Sequence, residues 1–531
     1  MAKKPKKHSS KLTSPKFNLD DIGTFTRRLR DRLDDPNITE YAGIGEQVKA
    51  LGTVMSKCSQ ADALLYTTDM LKCCTIETLI DLLMSAHPKQ GEIDYHWVIY
   101  AVVMTLVTLK GISDVRQKLS TILAEKWHQI SEKLWSERHW EIIDGESFYF
   151  SFGMLCLEMA NSALFNKSSS FNKSLDAYTM KLLAYYWKRA ENPHPIGWLE
   201  KAIHIATIQV VPATTGEGPR FAKKQQFLET LWEQFADESD PPSELLKLLV
   251  KRLRSDPNDR HAPTTGGYIL VCLAPLDCEP DMEHQERFME KLVHSSHFWD
   301  RYTTAMIREF HADKNIAGVQ LTPIAYLLRA VNEIQSLQQP LVLNLVESSF
   351  FDYLDEIAGQ DLNRNGEGWK CLHDILFFIL SALEHADAKL LEGVAGEMPR
   401  TRLLHFFAAS ADYDPRRRVD RTELWHLWQF QCWVPLLKIY ALVMTPDQCY
   451  RRGCKNEGIL RCTRCKTKYC SRECQVDDWS EHKLICEHVP KIQKMEESLE
   501  LYSSLGHSPH HALLALLSPL FKFVPKEADF L

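Results

Sequence analysis

The stretch 449–486, CYRRGCKNEGILRCTRCKTKYCSRECQVDDWSEHKLIC, constrains this chain more than any other, because it gathers seven of the fifteen cysteines and a well-placed histidine. Structural zinc takes four thiolate or imidazole ligands at tetrahedral angles, and two ligands close in sequence supply half a set at little conformational cost. The candidate ligands come in such pairs: Cys449 with Cys454, Cys462 with Cys465, Cys470 with Cys474, and His482 with Cys486. Eight ligands amount to two zinc ions. With every position filled by protein, neither ion keeps an open place for water, so the metal is expected to be structural and not hydrolytic.

Spacing also indicates what carries each pair. Cys462-Thr-Arg-Cys465 is a two-residue knuckle. The pairs Cys470/Cys474 and His482/Cys486 are spaced i, i+4, which places both members on one helical face. The first pair is therefore expected on a loop and the last two on short helices.

The run Cys462-x2-Cys465-x4-Cys470-Ser471-x2-Cys474-Gln475-x3-Trp479-x2-His482-Lys483-x2-Cys486 closely resembles the MYND zinc finger. In that family the sites interleave, the first and third pairs sharing one ion and the second and fourth the other. The resemblance implies Cys449, Cys454, Cys470 and Cys474 at one zinc, and Cys462, Cys465, His482 and Cys486 at the second. The first pair departs from many members in having four residues between its cysteines, which makes Cys449 the ligand most in need of checking. Peptide-binding members use residues matching Gln475 and Trp479 to hold proline-leucine-proline type motifs. Those two lie at i and i+4 of the helix expected from Ser471, and a Trp beside an amide suits a proline-containing strand. The competing expectation is that Trp479 closes the finger's small core against Tyr469 and Leu484.

The rest of the chain reads as helix. Only 22 glycines in 531 residues argue against a strand-and-turn architecture. Apolar residues recur at helical spacing, as in Ile22, Phe25, Leu29 and Leu33, or Leu245, Leu246, Leu249 and Leu253. Helices are expected over residues 40–58, 60–70, 75–86, 93–110, 113–140, 146–165, 175–190, 196–210, 221–235 and 243–254. Further ones follow over 283–309, 322–337, 341–358, 367–384 and 387–409, and a long one over 422–444, kinked at Pro435 and carrying Trp425, Trp428 and Trp433 as core. No fixed repeat of 33 to 47 residues is visible. Many helices of similar length on short loops are still best housed as stacked pairs. The expected fold class is all-α: an irregular α-solenoid of armadillo or HEAT style with a small C-terminal two-zinc finger.

The expected domains are a disordered basic tail over 1–17, a helical domain over 18–444, the finger over 445–490, and a C-terminal helical tail over 491–531. In that tail the apolar segment 512–523 docks back on the solenoid.

Charge and cysteine usage narrow the function classes. The formal net charge is −7, although residues 1–17 carry six lysines and no acid, so the remainder is more acidic still. Residues 445–490 hold nine Lys/Arg against seven Asp/Glu, and seven thiolates outweigh two zinc ions. Nucleic acid would find little to grip. The other cysteines (Cys58, Cys73, Cys74, Cys156, Cys272, Cys278, Cys371 and Cys432) are scattered through helical patterns, as reduced thiols in an intracellular protein are. The start has no apolar leader, and the longest apolar run, 97–109, falls short of the roughly 20 residues needed to span a bilayer. A cytoplasmic or nuclear protein is expected, with Lys3-Lys4-Pro5-Lys6-Lys7 as a possible import signal.

Enzymes that carry this finger make poor matches. SET-class lysine methyltransferases need an Asn-His-Ser segment, which is missing, and a strand-rich catalytic domain. Prolyl hydroxylases need a His-x-Asp pair on a jelly roll; His311-Ala-Asp313 and His385-Ala-Asp387 fit formally but sit at the ends of helical patterns. The expectation is a non-enzymatic adaptor whose finger binds a protein or peptide partner. The alternative is a finger that merely caps the helices, with the helical surface doing the binding. Exposure of Trp479 discriminates these: a buried ring favours the cap, an exposed one beside Gln475 favours peptide docking.

Overall fold

The computed structural model describes residues 22–34, 44–85, 95–108, 113–138, 148–157, 176–208, 218–253, 270, 273, 283–314, 317–332, 334–357, 367–397, 432, 435–436, 438–439, 442–443, 449–451, 454 and 456–486. The basic tail, the three tryptophans Trp425, Trp428 and Trp433, and the segments 490–501 and 512–523 lie outside them. The described residues are mostly helical. They divide into two compact units, Met1–Ala236 and Asp237–Leu531.

In the first unit the helices are α1 (Ile22–Asp34), α2 (Ile44–Met55), α3 (Gln60–Lys72), α4 (Thr75–Ser85), α5 (Tyr95–Thr108), α6 (Ser113–Ser136), a helical stretch at 148–157, α7 (Ala177–Arg189), α8 (Pro193–Ile208) and α9 (Gly218–Glu233). The apolar stripe read on α1 is the buried one: Ile22, Phe25 and Leu29 lie in the core. Helix α5 is apolar on nearly every side because it packs against α2, α3, α4 and α6 together. No helix among the described residues is long and apolar enough to cross a membrane.

Two glycines mark places where backbones meet. A Cβ on Gly52 of α2 would lie 2.6 Å from the Tyr100 ring of α5. One on Gly153 would lie 2.9 Å from the backbone nitrogen of Leu199 in α8, where nothing can give way.

The second unit contains α10 (Pro241–Arg252), α11 (Glu283–Val293), α12 (Ser296–Ala312), α13 (Ala317–Asn332), α14 (Gln335–Glu347), α15 (Phe350–Ile357), α16 (Glu367–Leu383) and α17 (Ala388–Glu397). Two segments expected as single helices are broken. Within 283–309 the chain restarts at Ser295, whose hydroxyl accepts from the Phe298 N–H at 3.3 Å as an N-cap. Within 341–358 the break falls at Ser349, which takes a left-handed φ of 62°. Helix α13 also begins earlier than the expected Thr322, so Pro323 sits inside it and not at its start.

Although no repeat shows in the sequence, the tertiary ties recur at a near-constant separation. Ser131 with Asp176, Thr303 with Ser348, His311 with Glu356 and Arg329 with Asp374 are each 45 residues apart. Thr26 with Thr75, Lys133 with the Met84 carbonyl, and Cys371 with Thr322 are each 49 apart. Within each unit, then, a helix is tied to one two or three helices further along the chain.

His311 and Asp313 close α12, with His311 Nε2 bonded to Glu356 Oε2 at 2.5 Å. Asp387 caps α17 by accepting from the Leu390 N–H at 2.8 Å. All four residues of the two formal His-x-Asp pairs are exposed at helix ends. Outside 449–486, the described cysteines Cys58, Cys73, Cys74, Cys156, Cys371 and Cys432 are free thiols.

Candidate metal centre

The segment 449–486 is built on a two-stranded antiparallel sheet and one helix. Strand β1 (Leu460–Arg461) pairs with β2 (Lys468–Tyr469), setting Leu460 opposite Tyr469 and Arg461 opposite Lys468. The knuckle 462–465 forms the turn between them: the Cys462 N–H bonds the Thr467 carbonyl at 2.8 Å, the Lys466 N–H bonds the Cys462 carbonyl at 3.0 Å, and Lys466 takes φ 67° to close it. The preceding loop is laced on by the Cys449 N–H to the Asn456 carbonyl and the Tyr450 N–H to the Lys468 carbonyl, both at 2.8 Å. Ser471 then caps α18 (Arg472–Cys486), its hydroxyl accepting from the Cys474 N–H at 3.2 Å.

The placement of the later ligands differs from the expectation of two short helices. Pairing of Tyr469 with Leu460 holds the chain extended up to Cys470, which therefore sits in the bend before the helix. The single helix α18 carries Cys474, His482 and Cys486.

The eight side chains converge as two clusters. Cys449, Cys454, Cys470 and Cys474 form one, and Cys462, Cys465, His482 and Cys486 the other, with the ligand atoms of each within 4.8 Å of one another. In the first, Cys454 and Cys470 sulfurs are 3.6 Å apart, Cys470 and Cys474 3.4 Å, and Cys454 and Cys474 3.9 Å. In the second, Cys462 and Cys486 are 3.6 Å apart, and His482 Nε2 lies 3.4 Å from both Cys462 and Cys465. A tetrahedron with Zn–S bonds of about 2.3 Å has edges of about 3.8 Å, whereas a disulfide would bring two sulfurs to about 2.0 Å. The spacing fits two closed zinc sites, and the donor set of soft thiolates and one imidazole fits zinc. Cys449, the ligand with the widest spacing to its partner, is 1% exposed inside its cluster.

Electrostatics follows from burial and from a few fixed donors. Burial pushes the Cys449 and Cys486 thiols up to about 12, so metal binding must drive protons off them. Cys474 is pulled down to about 7, chiefly by Arg451, whose Nη1 lies 3.5 Å from its sulfur and 3.1 Å from Asp477 Oδ2. Asn456 Nδ2 approaches the Cys470 sulfur at 3.9 Å. The all-cysteine site thus has a cationic donor beside its four thiolates, whereas the second site has a neutral one, the Thr467 hydroxyl 2.9 Å from the Cys465 sulfur. Burial holds His482 below its usual range, in the neutral form that ligates metal. Tyr469, fully buried, donates to Asp478 Oδ2 at 2.6 Å and packs edge-on against His482 at 5.7 Å. Burial raises that aspartate to about 6.

A family model described as the MYND finger matches residues 447–486. This segment is a MYND finger. MYND fingers mediate protein–protein interaction, and the two clusters are the family's two interleaved zinc sites. Similarity to whole proteins is confined to short stretches. The chain is 47% identical over 49 residues to Tudor domain-containing protein 1 of Danio rerio, covering 8% of this chain and 4% of that one. It is 48% identical over 50 residues to Tudor domain-containing protein 1 of Homo sapiens, covering 9% and 4%. It is 37% identical over 68 residues to Dauer abnormal formation protein 25 of Caenorhabditis elegans, covering 13% and 16%. No solved structure matches the chain.

On the MYND finger's surface, Gln475 is half-buried on α18 and Trp479, one turn on, is 49% exposed. The Trp479 ring rests against zinc ligand His482, with centroids 5.8 Å apart. Sequence reasoning missed Val476, 64% exposed between them, and Ile459 and Leu460 on the β1 side, also exposed. Apolar side chains left in water on so small a unit were the signal available.

Proposed function

We propose that the chain is an adaptor whose MYND finger, folded by two structural zinc ions, docks a proline-containing peptide of another protein on the face formed by Gln475, Val476 and Trp479. The observation that carries this reading is the exposed Trp479 ring. A finger serving only as a cap would hide that ring, whereas here the tiny core is closed by Tyr469. An exposed indole held rigid by a metal ligand loses little entropy when a proline packs on it. The helical units would act as the scaffold, and the recurrent ties between helices 45 to 49 residues apart support irregular stacked pairs, as in an α-solenoid. On this reading the protein has no catalytic site and works inside the cell.

The test is titration of the zinc-loaded full chain with a proline-leucine-proline peptide, using fluorescence of the peptide label. Gln475→Ala with Trp479→Ala should abolish saturable binding while zinc content stays at two equivalents. Unchanged binding by the double variant would refute the reading.

A further inference from the structure

The first unit holds a strip of cations laid on aromatic rings. Lys181 Nζ lies 5.6 Å from the centroid of Trp135, and the Arg138 guanidinium lies 3.8 Å from it. Arg138 is also 5.9 Å from the ring of Tyr185, over which Arg189 stacks at 3.5 Å. Beside Arg189, Lys188 lies 4.1 Å over Phe235. The strip is continuous because the Trp135 and Tyr185 rings meet edge-on at 6.1 Å, joining the end of α6 to α7.

The two arginines of the strip donate to neutral groups. Arg138 Nη1 donates to the Trp135 carbonyl at 2.7 Å, and Arg189 Nη1 to the Tyr185 carbonyl at 3.5 Å and to Gln234 Oε1 at 3.4 Å. Lys188 donates to the Gln234 carbonyl. Among the described residues no carboxylate pairs with Arg138, Lys181 or Arg189, and two acids beside the α6 end of the strip are engaged elsewhere: Glu137 with Lys133 at 3.6 Å, and Glu132 with the Tyr178 hydroxyl at 3.1 Å.

We infer that this strip is a docking site for an acidic, Asp/Glu-rich peptide of a partner protein. Each guanidinium has five N–H donors, and those of Arg138 and Arg189 are only partly used. Stacking has already fixed their planes, so a carboxylate can be taken bidentately without ordering a free side chain. Nucleic acid fits less well. Tyr185 is buried beneath its cations and Trp135 half-buried, so neither ring is offered to a base, and a chain of net charge −7 lacks the broad positive field that phosphate binding uses.

The test uses the zinc-loaded full chain with a labelled all-glutamate peptide and an all-glutamine peptide of equal length, read by fluorescence anisotropy. Saturable binding of the glutamate peptide alone is expected. Arg138→Gln with Arg189→Gln should weaken it about tenfold or more, the scale of losing charged hydrogen bonds, while Arg138→Lys with Arg189→Lys retains part. Lys181→Gln alone, which leaves both arginines stacked, should weaken it less and serves if the double variant melts early. No glutamate-selective binding by the wild type, equal binding by the charge-removing variants, or displacement of the peptide by a lower concentration of an RNA oligonucleotide would each overturn the proposal.

Discussion

At the residue scale the finger's stability rests on side chains that are not ligands as well as on those that are. Arg451 sets a positive charge beside the Cys474 sulfur, where four thiolates share one divalent ion. Partners of this kind are worth about 10- to 100-fold in metal affinity. Arg451→Gln is therefore expected to raise the fraction of zinc lost to a competing chelator by that order, with Arg461→Gln, exposed on β1, as the control. Truncating a ligand acts more bluntly: Cys462→Ser should bring zinc per chain from two equivalents to one or fewer, read by elemental analysis. A different residue governs acid sensitivity in the first unit. His204 on α8 is half-buried with Nδ1 shielded from water, and burial lowers it to about 4 from an ordinary value near 6.5. The folded state thus resists a proton that the unfolded chain accepts. Stability is full above about pH 6.5 and is lost as pH falls toward 4. Between pH 7 and pH 5 the loss attributable to His204 should be about 1–2 kcal/mol, and urea unfolding of His204→Met should show a correspondingly flatter pH dependence than the wild type.

Elements are specified partly by what they must admit at close quarters. At Gly153 a side chain would meet the backbone of α8, which cannot rotate aside. Gly153→Ala should lower the melting temperature even though alanine is the better helix former, since overpacking of this kind costs about 1–3 kcal/mol. Gly393 in α17 has nothing within 4 Å of a new Cβ. Gly393→Ala should stabilise by up to about 1 kcal/mol, so the two substitutions are expected to differ in sign. Helices such as α1, α4 and α10 were legible because their apolar spacing is what buries them: Leu245, Leu249 and Leu253 form one buried face. The breaks were harder to read. Ser295 is a good N-cap, yet apolar periodicity runs through it from Phe288 to Phe310, and a pattern of burial does not register a change of helix axis. Ser349 gives still less warning, because a left-handed φ at a serine follows from the packing of α14 and α15, not from propensity. In the finger the ligand set could be read from spacing, since zinc chemistry fixes residue types and intervals. That Cys470 lies off the helix could not, because strand pairing of Tyr469 decides it.

For the whole molecule the question is how far metal reaches. All eight ligands come from 449–486, and the segment's buried interior consists of cysteines packed around one tyrosine, its aspartate partner and one histidine. Such a core cannot hold a fold without its ions, whose binding contributes about 10–16 kcal/mol in comparable small zinc units. The helices instead bury large apolar side chains throughout, among them Trp127, Trp187, Trp299 and Phe288, and among their described residues no metal-ligating cluster is found. Exhaustive chelation is therefore expected to unfold the finger while leaving the bulk of the far-ultraviolet helical signal and its thermal transition in place. Binding of the proline-containing peptide should vanish in the same sample and return when zinc is restored, whereas binding of the glutamate peptide, which needs only the first unit, should persist. A chelated chain that instead loses most of its helical signal would show that the finger holds the helices together, and would move the weight of its role from docking to capping.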